Sequence, residues 1–588
     1  MDHALETKGL SVGNSPAIAT DHDVEVQKDA NDVPVEVSGA TKMEAIQAVW
    51  GKYGKTIIIT SLVISMIAFE FDNSTVYTYY VYAQSSFSKI STHAALTTAG
   101  GLIFSVLKPL VAKLSDFGRG ELYPVWLVFY IVSFILCAKS SNYATYAAGY
   151  MLHMFAQTGV NTLNDILAAD VSSARQRGLA VQLQFLPYIF MPFTAAFVTQ
   201  SVINGIGWRW GIGMLAIIMP VGLAPIVISL LGYQRKARKA GFDQKARVSL
   251  YEFFSRLDLG GMVLFSGGLA LILLPATLAG TLVKGWRTGW VIACLVVGGV
   301  FLLVLPLYEG LVTKYPILPL KYFRNITIMM ALVMYTMDGI ALGVTHSYFY
   351  TWLIVARGYA VRNALFIYDA NRAMQFLAGL LMGGIMWYTR RYKWVIVAGV
   401  AVRLIGYGLM MRMRNVNAGI AEIVIVQLIQ GLGSGLVGTG CFVAATVSVP
   451  HSEVAQMTSL AVCLSTLGST IGTAIGGGIY TNYFKVELVK ELGTNGTGKL
   501  IAQVFDSITT GLPAIGTLER DGIARAYTTI IGYFTYVAFG SSVPFIPFAY
   551  FLPNKRLTDA QNIVEGVEPS AVEGGSYATN TTETEKHH

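Results

Sequence analysis

The sequence predicts an all-α membrane protein of about fourteen spanning helices, an expectation that rests on composition, on the length of the apolar runs and on where the cations fall. Only 13% of the 588 residues are charged and 54% are hydrophobic, whereas a soluble domain carries about 25% charged residues. The mean hydropathy of +0.53 means more apolar side chain than a polar surface could hide, and lipid can act as solvent for the excess. The 60 glycines suit spanning helices, which approach closely where no hydrophobic reward draws them together. A backbone in lipid has no water to bond, so each apolar run must satisfy itself as a helix.

In chain order, residues 1–50 are polar and acidic through Asp21, Asp23, Glu25, Asp29 and Asp32, which reads as a disordered cytosolic tail and not as a signal peptide. Six runs follow at 56–82, 93–114, 122–139, 143–167, 179–202 and 209–232, making a first six-helix half over 51–232. The fourth run is interrupted by polar residues. A basic loop at 233–256 with Arg235, Lys236, Arg238, Lys239, Lys245 and Arg247 separates the halves. Two further runs, 258–280 and 288–308, are expected to be peripheral helices within 257–309. The second half, 310–552, holds runs at 325–347, 364–388, 393–412, 419–445, 455–480 and 527–551, the tenth again interrupted. An outside loop at 481–526 carries the glycosylation sequon Asn495-Gly-Thr497, and 553–588 reads as a second disordered cytosolic tail.

Placing the N-terminus in the cytosol puts Lys52, Lys55, Lys113, Arg119, Arg175, Arg177, Lys314, Lys321, Arg390, Arg391 and Lys393 inside. Fewer cations, such as Lys89, Lys139, Lys284 and Arg287, then lie outside, so both termini are expected to be cytosolic. The net charge of +8 sits in these short loops, and nucleic acid is not the expected partner. Cys137, Cys294, Cys441 and Cys463 lack CxxC spacing, and the histidines lack metal-ligand spacing, so neither a disulfide framework nor a metal site is indicated.

Ionisable and amide side chains inside a span are costly and by default functional; the structural alternative is a hydrogen-bonded seam between helices. In the first run Glu70 and Asp72 lie about 200° apart on a helix, so one faces the solute pathway and the other a neighbouring helix. Asp72, sharing a face with Tyr79, is the preferred pathway carboxylate; Glu70 shares its face with Asn73 and Tyr77. Removal from water disfavours the charged form of a carboxyl, as a proton-coupling group requires. In the fourth run His153, Gln157, Asn161 and Asn164 form one polar stripe at helical spacing, expected to face water or substrate. Gln184 and Tyr188 continue it in the fifth.

In the second half, Asp338 is the third proton-coupling candidate, with Tyr335 beside it. His346, Tyr348, Tyr350 and Trp352 form an aromatic cluster whose structural alternative is an interfacial belt. Asp369, Asn371 and Arg372 enter the tenth run, and Arg403 in the eleventh calls for a carboxylate. Gln427 and Gln430 follow in the twelfth. Asn73, Tyr77, Tyr79, His153, Gln157, Asn161, Gln184, Tyr188, Tyr335, Tyr348, Trp352, Gln427 and Gln430 are thus the substrate-binding candidates. Gly431 and Gly435, then Gly468, Gly472 and Gly476, recur every four residues as close-packing faces.

Lys113-Leu-Ser-Asp-Phe-Gly-Arg-Gly-Glu121 resembles the Asp-x-x-Gly-Arg loop between the second and third helices of the major facilitator superfamily, one residue short of its usual spacing. The resemblance implies a conformational latch drawn from Asp116, Arg119, Arg175 and Arg177. Gly207-Trp-Arg-Trp-Gly211 looks like the fourteen-span branch, but the membrane arginine and the glycine–proline signature of its drug–proton antiporters are lacking. Asp165-Ile-Leu-Ala-Ala-Asp170-Val-Ser-Ser-Ala-Arg175-Gln-Arg177 is similar to the corresponding loop of fungal siderophore–iron transporters. So are Tyr82-Ala-Gln-Ser-Ser-Phe87, Gln427-Leu-Ile-Gln-Gly-Leu-Gly433, Val449-Pro-His-Ser-Glu-Val-Ala455 and Leu557-Thr-Asp-Ala-Gln-Asn562.

That resemblance implies proton-coupled uptake of ferric siderophores of the hydroxamate type, by alternating access of two six-helix halves. Iron would travel inside the siderophore, with no cofactor and the proton gradient as energy source. A monomer in the plasma membrane is expected, an intracellular vesicle being the other location. The alternative function is a drug or toxin/proton antiporter on the same fold. A membrane enzyme would want a nucleophile within reach of a base; no such spacing occurs, and the chain is not expected to be an enzyme.

Overall fold

A computed structural model describes residues 49–115, 119–171, 186–240, 258–313, 316, 320–450, 453–509 and 511–554, and among them every regular element is a helix. Fourteen helices have eighteen residues or more. The first six are α1 (Gly54–Ser86), α2 (His93–Ser115), α3 (Arg119–Ala138), α4 (Tyr143–Val171), α5 (Pro187–Asn204) and α6 (Gly207–Lys239). Then come α7 (Leu259–Leu278), α8 (Gly289–Leu311), α9 (Ile326–His346) and α10 (Val361–Thr389). The last four are α11 (Lys393–Met413), α12 (Ile420–Thr446), α13 (Val454–Leu492) and α14 (Leu518–Ser542).

Local chemistry explains several starts. Asp258 accepts from the Gly261 N–H (3.1 Å) to cap α7, and Asn325 accepts from the Thr327 N–H (3.0 Å) to cap α9. Glu422 reaches back to the Gly419 N–H (3.1 Å) at α12, and Pro187 opens α5, where its missing N–H costs nothing.

Eleven helical segments among the described residues are long and apolar enough to cross a membrane; α4, α5 and α10 are not among them. The polar content of α4 and α10 is turned inward, as described below, so hydropathy alone undervalues them. Lipid-type exposure is clearest on α6 and α8, where Val221, Ile228, Leu303 and Leu307 point outward, between 61% and 75% exposed.

The expected outside loop at 481–526 is largely helical. α13 continues to Leu492, Gly498–Asp506 forms a short amphipathic helix, and α14 begins at Leu518. The apolar-run criterion ends where Lys485, Glu487 and Lys490 begin, yet Tyr480, Phe484 and Leu488 keep one face buried at helical spacing. α6 likewise runs past residue 232 to Lys239, and Arg238 there pairs with Glu121 of α3. The acidic tails and the sequence around Lys245 and Arg247 fall outside the described residues.

Helices α1–α6 pack on one another through α1–α6, α3–α6, α3–α4 and α2–α4; α9–α14 pack through α9–α13, α10–α12, α11–α12 and α13–α14. The groups meet along two seams, α2 with α13 and α5 with α10. α7 lies against both α2 and α13, with α8 outside it. The end of the bundle where α1 finishes is tied across the groups. Ser85 lies 2.9 Å from Ser507 and 2.8 Å from Thr509, and Ser91 donates to Asp506 at 2.5 Å.

Candidate functional site

α1 presents two carboxylates to two different environments. Asp72 is fully buried against α3 and α4: Tyr130 donates to it at 3.3 Å, the Gln157 amide at 3.5 Å, and His153 Nε2 lies 3.2 Å away. The rest of the α4 stripe continues the same contact surface. Lys108 of α2 donates to Asn161 at 2.8 Å and lies 3.9 Å from Asp165, while Ser65 and Tyr123 donate to Asn164 at 3.1 and 2.9 Å. The stripe expected to border water is a hydrogen-bonded seam inside the first group. Each amide sits opposite a polar residue of α1, α2 or α3, which a single-helix pattern cannot reveal. Tyr79 is also turned inside this group, against Gly211 of α6.

Glu70 is the α1 carboxylate that faces the second group, the reverse of the expected choice. It accepts from Asn73 at 3.1 Å and Ser74 at 2.9 Å on its own helix, and from the Tyr188 phenol of α5. Across the divide it lies in the electrostatic field of Asp369 and Arg372 of α10. Two turns on, Tyr77 stacks on Tyr368 of α10 with centroids 5.6 Å apart and planes 17° apart. Tyr77 also meets His93, and Tyr368 meets His346, with centroids at 5.8 and 5.3 Å. Glu70, Tyr77, Tyr188, Tyr368, Asp369 and Arg372 therefore form one polar, aromatic cluster drawn from both groups.

The second group has its own seam. Asp338 of α9 pairs with Arg403 of α11 and accepts from Ser434 of α12 at 2.8 Å; Ser434 in turn accepts from Gln375 of α10 at 3.2 Å. Arg403 also donates to the Asp338 carbonyl at 3.0 Å and to Tyr407 at 3.2 Å. Asp338 thus faces helices of its own group, as Asp72 does. Tyr335 packs against Gly438 of α12. Gln427 and Gln430 are buried; Gln430 lies against the Tyr407 phenol, and among the described residues the Gln427 side-chain amide has no hydrogen-bond partner.

The aromatic cluster, for which an interfacial belt was the structural alternative, is interior. Tyr348 stacks on Tyr480 (4.0 Å, 6°), and Trp352 donates to Thr528 at 2.9 Å; Tyr348, Tyr350 and Trp352 are each at most 1% exposed. Of the latch residues, Arg119 begins α3 and is buried, while Asp116, Arg175 and Arg177, like Gln184, lie outside the described residues. Two interior cations went unnoticed in the sequence. Lys108 stands beside Pro109 in an otherwise apolar run, and that lone lysine was its only signal. Arg414 lies over the Phe349 ring at 4.0 Å and donates to the Thr345 carbonyl at 3.0 Å. Among the described residues no three His, Cys, Asp or Glu side chains converge to hold a metal ion.

No family model matches the chain. Solved structures share the fold alone. An auto-inhibited peptide transporter of the POT family superposes with a TM-score of 0.54 at 15% identity, covering 87% of this chain and 99% of its own. The nucleoside transporter NupG gives 0.51 at 11% identity over 84% and 99%. Curated relatives are nearer. MFS siderochrome iron transporter C of Aspergillus fumigatus is 29% identical, with 92% of this chain and 90% of the relative covered. Siderophore iron transporter 1 of Schizosaccharomyces pombe is 29% identical over 91% and 88%. A low affinity heme transporter of the same yeast, str3, matches at 29% over 93% and 90%. The fold is that of major facilitator transporters, and the family that this chain resembles along about nine-tenths of its length is that of the fungal siderophore iron transporters.

Proposed function

We propose that the chain takes up ferric siderophores of the hydroxamate type by proton-coupled alternating access, with all fourteen long helices spanning the plasma membrane and both termini cytosolic. The observation that carries this reading is the cross-group cluster at Glu70, Tyr77, Tyr368 and Arg372, built where two groups of six helices meet along only two strong seams. Rocking one group against the other changes the distances inside that cluster, whereas the Asp72 and Asp338 seams move as units. A ferric siderophore is bulky and polar, with its iron already wrapped by its own oxygens. Phenols, amides and a few charges suit such a cargo without any protein ligand to the metal. The proton-coupling candidates are three of the buried carboxylates, Glu70, Asp72 and Asp338.

The test is uptake of labelled iron from a panel of iron-loaded siderophores by cells lacking their own carriers, with the iron-free forms as controls. Heme belongs in the panel because one relative is named for it. Accumulation that an uncoupler abolishes is the expected result. Resistance to a toxin without rescue of iron-starved growth would instead mark an exporter. Accumulation that ignores the proton gradient would remove the coupling.

A further inference from the structure

Three charged groups of the cross-group cluster are unevenly satisfied. Both carboxylate oxygens of Glu70 accept hydrogen bonds from its own helix, and Tyr188 adds a third. Arg372 is different. Its guanidinium has five N–H donors, and among the described residues none of them is taken up in a hydrogen bond, although Asp369 and Glu70 lie close enough to act on its charge. Arg403 and Arg414, two other interior arginines, each donate to protein carbonyls. An arginine does not give up its charge inside a protein, so an interior one with unclaimed donors calls for an acceptor.

We propose that Arg372 binds an oxyanion carried by the cargo, a carboxylate by preference, and that this binding requires one proton to be taken up on Glu70. The inference rests on the siderophore-uptake reading. Its physical basis is the charge count. With Glu70 and Asp369 ionised the trio has one negative charge in excess, and an arriving carboxylate would make it two in a setting of low dielectric. One proton on Glu70 keeps the loaded site at the single negative charge of the empty one and leaves Arg372 to form a two-pronged contact with the incoming carboxylate.

Glu70 is the better placed of the two acids, because it lies on α1 while Asp369 and Arg372 share α10, so its proton reports on both groups. The groups that face it are Asn73 and Ser74 of α1, Tyr188 of α5 and Asp369 and Arg372 of α10. His346 of α9 stands behind Tyr368. α4 directs His153 and Asp165 to Asp72 and Lys108 instead. α6 meets α1 through Ser229, Gly211 and Gly222.

The test compares a ferric trihydroxamate bearing one free carboxylate with its methyl ester, measuring binding to the purified full chain across pH. For the acid, affinity is expected to rise toward about tenfold for each unit of falling pH in the range where Glu70 titrates, the limit for one linked proton; for the ester it stays flat. In Arg372→Gln the acid-to-ester affinity ratio falls by about tenfold or more, and Arg372→Lys restores part of it. Glu70→Gln abolishes the pH slope for the acid. Equal losses for both chelates in Arg372→Gln, or the same slope for acid and ester, overturn the proposal. Failure of the parent chain to bind either chelate overturns the siderophore reading along with it.

Discussion

The two groups of six helices each bury a carboxylate at the same topological place and neutralise it in opposite ways. In the first group Asp72 sits between the first, third and fourth helices and is held by Tyr130, His153 and Gln157. In the second, Asp338 sits between the corresponding α9, α11 and α12 and is held by Arg403 and Ser434. Tyrosine, histidine and glutamine can bond a carboxyl in either protonation state; a guanidinium stabilises only the charged one. The Asp338 carboxylate therefore has a fixed cation beside it, while Asp72 is held by a phenol, an amide and an imidazole. Backbone contact deepens the contrast. A side chain on Gly339, Gly343, Gly468 or Gly472 would overlap backbone of the facing helix in the α9–α13 pair, whereas Gly211 and Gly222 of α6 face the side chains of Tyr79 and Ala68.

The largest expected effect follows from the fixed pair. Arg403→Gln leaves Asp338 buried without its cation, and breaking a buried pair from one side costs about 3–5 kcal/mol. The solubilised protein should melt well below the parent. Replacing both partners with apolar residues, Asp338→Leu with Arg403→Met, should recover most of that loss, since no charge is then stranded. A melting temperature unchanged by Arg403→Gln would end the distinction between the seams.

Next comes the backbone contact. Gly472→Val drives its Cβ into the Ile340 carbonyl oxygen, and overpacking costs about 1–3 kcal/mol when the neighbour can yield. Backbone cannot yield as a side chain does, so the upper end is expected, with lower melting temperature and lower yield. Gly211→Val, which meets the Tyr79 ring, should cost less, because a ring can turn about its own side-chain bonds. Equal losses at the two positions would mean that the second group is no more tightly built than the first.

How much of this was legible in the sequence differs from residue to residue. Eleven of the runs were visible because length and apolarity go together in them, while α4, α5 and α10 fall short of that criterion among the described residues. The i, i+4 glycines announced their contacts for the same reason: a repeating small residue has few other uses in a span. The facing of Glu70 and Asp72 was only half legible. Helical geometry places them on opposite sides, but which side meets the other group depends on Arg372, some three hundred residues away in the chain, and no local pattern encodes that. The α4 stripe misled for a related reason. His153, Gln157 and Asn161 look like the lining of a watery path until Asp72 and Lys108 are seen opposite them. Arg403 announced a missing carboxylate without naming it.

The smallest effect is expected at Asp72, and it is the most discriminating. Asp72→Asn keeps the shape of the side chain, so its oxygen, placed where Oδ2 was, can still accept from Tyr130, from Gln157 and from His153 in the Nε2–H tautomer, while its new amide takes the place of Oδ1, which has no hydrogen-bond partner among the described residues. Removing one charge from a seam that never had a fixed cation should cost about 1 kcal/mol, the net worth of a neutral hydrogen bond. The protein should accumulate and melt close to the parent. Uptake then separates the two carboxylates of α1. If the cross-group cluster carries the coupling proton, Asp72→Asn still accumulates cargo and still stops when an uncoupler is added, while Glu70→Gln does not respond to the uncoupler. If the uncoupler has no effect on Asp72→Asn but stops Glu70→Gln, the coupling lies in the seam with His153. The different neutralisation of the two seams would then be the basis of energy coupling rather than of stability.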